Sequence, residues 1–229
     1  MLDDNFETIT AAIQEGRRIL VNVRKTFVYL MSNSLDMVFV ISGSLIFNIP
    51  LPLTALQIIW INLFTGSLPA LAFAYDDNFD HEGSSKRTLK SIFTREVNIL
   101  TFGIGITSSL LLFVMYYSLV ASGLDLALVR SVFFICVGSY ILAIAFSFRS
   151  LHKPLFSYPV FSNKKLNQGV AVAGLLLIAT MVIPSARSLF GLAPIPLVWL
   201  WFIAGWLILN VSLVEGAKFL FRKSTGSPR

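Results

Sequence analysis

Only one cysteine, Cys136, occurs in the chain, so no internal disulfide forms and no cysteine-based metal site can be assembled. Flanked by Ile135 and Val137 in an apolar run, it reads as a small buried hydrophobe. Histidine is nearly as scarce. His81 lies beside Asp80 and Glu82, and His152 beside Lys153 and Pro154, so the two lack metal-ligand spacing and read as solvated loop residues. No glycine-rich phosphate loop, nucleophile elbow or pair of acids in a soluble domain is visible, which leaves this chain without a catalytic engine of its own. Charge is also sparse: 13% of residues are charged and 55% apolar, with a mean hydropathy of +0.76, a composition that fits a bilayer better than water.

What the sequence does have is long apolar runs. A helix crosses the hydrocarbon core in about 20 residues, and such runs fall at 27–47, 52–74, 97–119, 127–148, 168–190 and 197–220. The expected fold is all-α, a polytopic six-helix transmembrane bundle. Short joints at 48–52, 121–126 and 191–196 alternate with longer charged ones at 76–96 and 149–167, placing short loops on one side and long loops on the other.

Lysine and arginine favour cytoplasmic loops. Sixteen of the eighteen fall on the long-loop side: Arg17, Arg18, Arg24, Lys25, Lys86, Arg87, Lys90, Arg95, Arg149, Lys153, Lys164, Lys165, Lys218, Arg222, Lys223 and Arg229. Arg130 and Arg187 alone lie opposite, within snorkelling reach of the interface. Both termini are thus expected in the cytoplasm, in the plasma membrane, and the net charge of +6 reflects contact with anionic lipid, without nucleic acid as a partner. Residues 1–26 are polar with an acidic start, unlike a cleavable signal peptide, so the first span is expected to direct insertion.

Phe6, Ile9, Ile13, Leu20, Val23 and Phe27 recur at mostly helical steps, and no proline occurs before Pro50, so an amphipathic stalk over 3–26 is expected to run unbroken into span one. Pro50 and Pro52 end it and leave a short turn, from which spans one and two are expected to pack as an antiparallel hairpin with cooperating faces. Inside span two, Gly66, Ser67 and Pro69 predict a locally opened helix with freed carbonyls. Gly103, Gly105, Ser108 and Ser109 in span three, Gly138 and Ser139 in span four, and Gly169 and Gly174 in span five read as close helix packing.

An acid at mid-bilayer costs about 2.5–3.5 kcal/mol on insertion scales, and Asp36 is the one acid so placed. Asn33 lies three residues earlier on the same face, and Asn62 and Thr65 of span two add neutral oxygens of the kind hard cations prefer, with Ser34 and Gln57 as further candidates. This set is a candidate cation or proton site. The alternative is that Asn33, Ser34, Asn62 and Thr65 hydrogen-bond between helices and that Asp36 is protonated or paired internally. Glu215 and Lys218 read as an exposed anchoring pair at the end of span six.

Several motifs in order complete the picture: Asp3-Asp4-Asn5-Phe6 with Ile9 and Glu15-Gly16-Arg17, Tyr29-Leu30-Met31-Ser32-Asn33, Gln57 through Thr65, Leu68-Pro69-Ala70, Phe161-Ser162-Asn163-Lys164 and Val214-Glu215-Gly216-Ala217-Lys218. Together they resemble the C-terminal six-helix portion of P-type cation-transporting ATPases of the calcium-pump and sodium-pump branch. The resemblance implies three regions: 1–26 as the end of a phosphorylation domain and its stalk helix, 27–220 as the transmembrane domain, and 221–229 as a cytoplasmic tail. It implies that ions bind between spans one and two with a preceding helix, and that Asn62 and Thr65 match ligand positions. Gly66 stands where the family has an acid, Ser34 and Met37 stand where Asn and Glu are expected, and Asn33 and Asp36 keep the family spacing one position early.

The phosphorylation motif Asp-Lys-Thr-Gly-Thr and the nucleotide and actuator domains are not in the sequence. The expected function is therefore the membrane half of an ATP-driven cation pump, not an enzyme as this chain alone, with ATP and magnesium confined to the catalytic domains. Its expected partners are lipid, the transported cation, and a catalytic chain or missing N-terminal portion. The alternative is a non-transporting membrane module, whether remnant, regulatory subunit or scaffold. No pair of similar halves points to a secondary transporter.

Overall fold

The computed structural model describes residues 2–76, 95–151 and 153–225. His81, His152, the loop residues Lys86, Arg87 and Lys90, and the tail from 226 lie outside the described residues. The described chain is all-helical, and six helices are long and apolar enough to cross a membrane. The protein is an integral membrane protein.

The stalk and span one form a single 45-residue helix, α1 (Leu2–Ile46), as the absence of proline predicted. It ends at Asn48, whose φ of 51° lets the Ile49 N–H return to the Ser44 carbonyl, and Asn is among the few residues that tolerate this left-handed closure. Span two is composite: α2 (Ala55–Trp60), a π-helical turn (Ile61–Gly66), α3 (Ser67–Ala72) and a 3₁₀ turn (Phe73–Tyr75). Spans three and four are α4 (Arg95–Ala121) and α5 (Leu126–Ser147).

Span five, read as 168–190, is instead α6 (Lys164–Val182) followed by a separate short α7 (Pro184–Leu189). Proline at 184 disfavours helical backbone at the preceding residue, and Ile183 is extended at ψ 115°. Span six is α8 (Trp199–Thr225).

α5 is the centre of the bundle, with most of its residues buried, Cys136 among them. α6 and α8 lie outside and turn large apolar side chains such as Leu175, Leu200 and Trp201 outward, as lipid contact allows. α1 packs along α4 and meets span two chiefly through α3 and the 3₁₀ turn. The expected hairpin of spans one and two is therefore closed only toward the long-loop end. Elsewhere their faces are exposed, with Leu30, Ser34 and Val38 on α1 and Ile59, Asn62 and Leu63 on span two.

At the long-loop end the chain is fastened by a buried ionic cluster. The Asp76 carboxylate, fully buried, accepts from Arg149 Nε (3.0 Å) and a terminal guanidinium nitrogen (2.8 Å), from Asn163 Nδ2 (3.2 Å) and from Lys25 Nζ (3.4 Å). Asn22 donates to the Asp76 carbonyl, and Arg149 also reaches the carbonyls of Pro159 and Val160 and the Ser162 hydroxyl. Asn163 completes the join by capping α6 through the Leu166 N–H. The cluster ties the stalk to the ends of spans two and four and to the start of span five. Nearby, Lys218 is buried and bonds the Ser147 carbonyl, while Glu215 accepts from both Lys218 and the Leu155 N–H. The pair expected to be exposed is thus a tertiary tie, because Leu155 and the end of α5 supply partners for its two side chains.

Candidate intramembrane cation site

Span two changes helix type one turn before its proline. Pro69 has no N–H, and its ring crowds the carbonyl four residues back, that of Thr65. Widening the helix to π geometry over Ile61–Gly66 relieves the crowding, and Ser67 accordingly bonds Asn62 O from both its N–H and its hydroxyl. Pro69 itself lies inside the regular α3, so the opened segment precedes the proline instead of surrounding it.

The Thr65 carbonyl is taken up by another helix. The Tyr29 hydroxyl lies 3.2 Å from Thr65 O and 3.2 Å from Ile141 O, joining spans one, two and four, with its ring edge-on to Phe73 and Phe148. Tyr29→Phe is expected to leave both carbonyls without this donor and to lower stability by about 1–2 kcal/mol, read as a drop in unfolding midpoint of the membrane-embedded chain. An unchanged midpoint would show that the hydroxyl does not hold the π turn.

The sequence candidates divide between environments. Asn33 is buried, with its side chain beside the Tyr29 hydroxyl one turn earlier on α1. Thr65 is buried, with its hydroxyl on the Ile61 carbonyl at 2.6 Å. Asn62 is exposed and donates to the Ile58 carbonyl, and Ser34 is exposed and donates to the Leu30 carbonyl. Gln57 is structural on both sides of its amide: Oε1 accepts from the Thr54 N–H in a capping box and Nε2 donates to the Phe190 carbonyl.

Asp36, 1% exposed, faces span three. Its Oδ1 accepts from Ser108 Oγ at 2.7 Å and Ser109 Oγ at 2.9 Å, while Oδ2 is buried without a partner. The structure therefore does not bring Asp36 together with Asn62. A helix turns about 100° per residue, and Asp36 occupies the side of α1 that meets α4.

Gly105 lets the two helices approach: a Cβ there would lie 2.7 Å from Leu35 Cδ1 and 3.4 Å from Ser32 Cα. Sequence reading missed Ser108 and Ser109 as partners of the acid. The available signal was the stripe Thr101, Gly105, Ser108 and Ser109, spaced to share one helix face.

A family profile described as "Cation transporting ATPase, C-terminus" matches residues 50–220, covering all of spans two to five and most of span six. The chain belongs to this cation-transporting ATPase family. Among relatives, the calcium-transporting ATPase of Bacillus subtilis (strain 168) is 29% identical over 196 residues, which cover 83% of this chain and 22% of that protein. Calcium-transporting ATPase 1 of Saccharomyces cerevisiae is 29% identical, over 83% of this chain and 20% of its own length. The sodium/potassium-transporting ATPase subunit alpha-1 of Catostomus commersonii is 32% identical over 125 residues, 53% of this chain and 12% of that one. The chain thus spans about a fifth of the length of the two calcium-transporting relatives.

Within this ATPase membrane region the family-like motifs have physical roles. Asn163 and Ser162 of Phe161-Ser162-Asn163-Lys164 hold the Asp76–Arg149 cluster, and Glu215 and Lys218 clamp span six.

Proposed function

We propose that this chain is the C-terminal membrane half of an ATP-driven cation pump and contributes part of its intramembrane ion path. The observation that carries the reading is the family match running through the membrane helices. The composite span two supports it: inside an apolar span the regular helical ladder gives way to a π turn, where the Asn62 carbonyl bonds Ser67 and the Thr65 carbonyl bonds Tyr29 of span one.

The proposed ligands on the span-two side are Asn33, Thr65 and Asn62, with Ser34 at the rim. Asp36 contributes from the span-three side, and Gln57 supports the fold. The exposed faces bearing Asn62 and Ser34 would be covered by helices of an N-terminal portion or a separate catalytic chain, which would also bring ATP, magnesium and the phosphorylated aspartate. In this reading the protein resides in the plasma membrane with both ends in the cytoplasm, and α1 carries domain motion to the ion path.

The test is reconstitution of the complete transporter containing this sequence in proteoliposomes, with ATP-driven uptake of labelled calcium, sodium and potassium measured in parallel. Thr65→Val and Asn62→Ala are expected to reduce uptake of the transported ion at least tenfold. ATP-independent behaviour throughout, with no ion taken up, would instead favour a non-transporting module. Gly66, standing where the family carries an acid, is the observation on that side.

A further inference from the structure

We infer that the loop joining spans four and five dips into the bilayer leaflet on the long-loop side, with Phe156 at its tip seated where lipid headgroups meet acyl chains. Depth is the first argument. The Leu155 N–H donates to Glu215 Oε2 at 2.8 Å, which sets the tip beside Glu215 on α8. The apolar part of α8 continues past Glu215 to Leu220, and at the helical rise those residues add about 7 Å toward the long-loop side. Phe219 and Leu220 turn outward there, 62% and 67% exposed. Apolar side chains open to lipid thus lie farther out along α8 than the tip of the loop does.

A second tie gives the same level. The Tyr158 hydroxyl donates to the Phe146 carbonyl at 2.8 Å and reaches that of Ser147 at 3.4 Å, at the last turn of α5. Between the two ties, Leu155–Ser157 forms a single 3₁₀ turn, closed by the Ser157 N–H and hydroxyl on the Pro154 carbonyl. This turn holds Leu155 and Tyr158 inward, both buried, and presents Phe156 outward, 90% exposed. The headgroup boundary suits such a turn. It takes an aromatic ring out of water, and it still offers hydrogen bonds to open backbone groups that hydrocarbon would leave unsatisfied.

Lipid is the occupant because the tip is continuous with surfaces that face the bilayer. Phe161, also exposed, packs its ring 5.3 Å from that of Phe146 just before α6 enters the membrane. Phe156 belongs to the α8 end of the loop. The stalk meets the opposite end, where Arg149 and Lys25 share Asp76. The inference needs only that the chain spans a membrane, and it holds whether or not the chain is part of a pump.

The test is nitroxide accessibility in the full chain reconstituted in phosphatidylcholine vesicles. Cys136, the one native thiol, is buried, so the unsubstituted chain supplies the labelling blank. Ser157→Cys places a label beside Phe156 at an exposed position. Gly16→Cys on the stalk, with nothing within 4 Å of a Cβ, and Leu175→Cys on the outward face of α6 give the water and lipid references. The Ser157 label should collide with oxygen in preference to a water-soluble nickel chelate, with a ratio nearer the Leu175 value than the Gly16 value. Adding Phe156→Asp should move the ratio to the Gly16 side, and Phe156→Leu should leave it in place. A Gly16-like ratio with Phe156 intact would overturn the inference and mark the ring as open to water, as a protein docking knob would be. A lipid-like ratio unchanged by Phe156→Asp would overturn it equally, since Phe156 would then not be what seats the loop.

Discussion

Asp76→Ala is expected to destabilise the chain by about 3–5 kcal/mol, the usual consequence of removing one partner from a buried ionic pair. Asp76 and Arg149 are both fully buried, and the carboxylate receives two hydrogen bonds from the guanidinium, one from Asn163 and one from Lys25. Alanine would leave two buried cations without the acid they surround, at the junction of the stalk, spans two and four, and the entry to span five. Arg149→Met should be comparably damaging, since Arg149 also holds the Pro159 and Val160 carbonyls. Because the two variants damage one network, their combination should cost clearly less than the sum. Unfolding midpoints of the four proteins in one lipid environment give the answer, and a single-variant loss below about 0.5 kcal/mol, typical of an unremarkable surface change, would contradict a structural role.

Gly105→Leu is expected to cost about 2–3 kcal/mol, near the upper end for overpacking. The added Cβ meets Leu35 Cδ1 at 2.7 Å and Ser32 Cα at 3.4 Å. Leu35 can turn away from the first contact, but the α1 backbone beneath it cannot, and the remaining leucine atoms would force α1 and α4 apart. Separation would also lengthen the Asp36 bonds to Ser108 and Ser109. Gly103→Leu is the matched control: nothing lies within 4 Å of a Cβ there, and leucine is about 1 kcal/mol better than glycine in a helix. It should therefore be neutral or slightly stabilising. Equal losses for the two variants would mean that glycine flexibility, and not the close approach of two helices, is what matters in α4.

Much of the architecture was legible because lipid imposes length and polarity on anything that crosses it. The runs at 97–119 and 127–148 correspond closely to α4 and α5, and the unbroken passage of the stalk into span one followed from the lack of proline before Pro50. Proline also announced the irregularity of span two, although the distortion fell one turn earlier, on Ile61–Gly66, where the ring of Pro69 projects. The end of span five was misjudged because apolar residues continue past Ile183, and hydropathy does not register that Pro184 changes the backbone before it.

The candidate site was legible as a set of residues but not as an arrangement. In a water-soluble bundle the polar face of a helix marks the outside, whereas here the lipid-facing and buried faces are both apolar, so periodicity alone does not say which neighbour a face will meet. Asp36 was visible as the acid at mid-bilayer, yet its partners Ser108 and Ser109 were read only as small packing residues. Lys25 and Arg149 entered only as loop-side charges, and Asp76 only as the first residue of a loop, although together they form the principal ionic cluster described.

By itself, then, the sequence determined the solvent of this protein, its number of crossings, the side on which basic residues gather and its likeness to cation-transporting ATPases, because each depends on local composition or ordered motifs. Only the tertiary structure decided that α1 closes against α4, that the acid faces two serines, and that a buried carboxylate joins four segments. Those outcomes depend on the rotation of each helix about its axis, which is set by packing against residues distant in the chain.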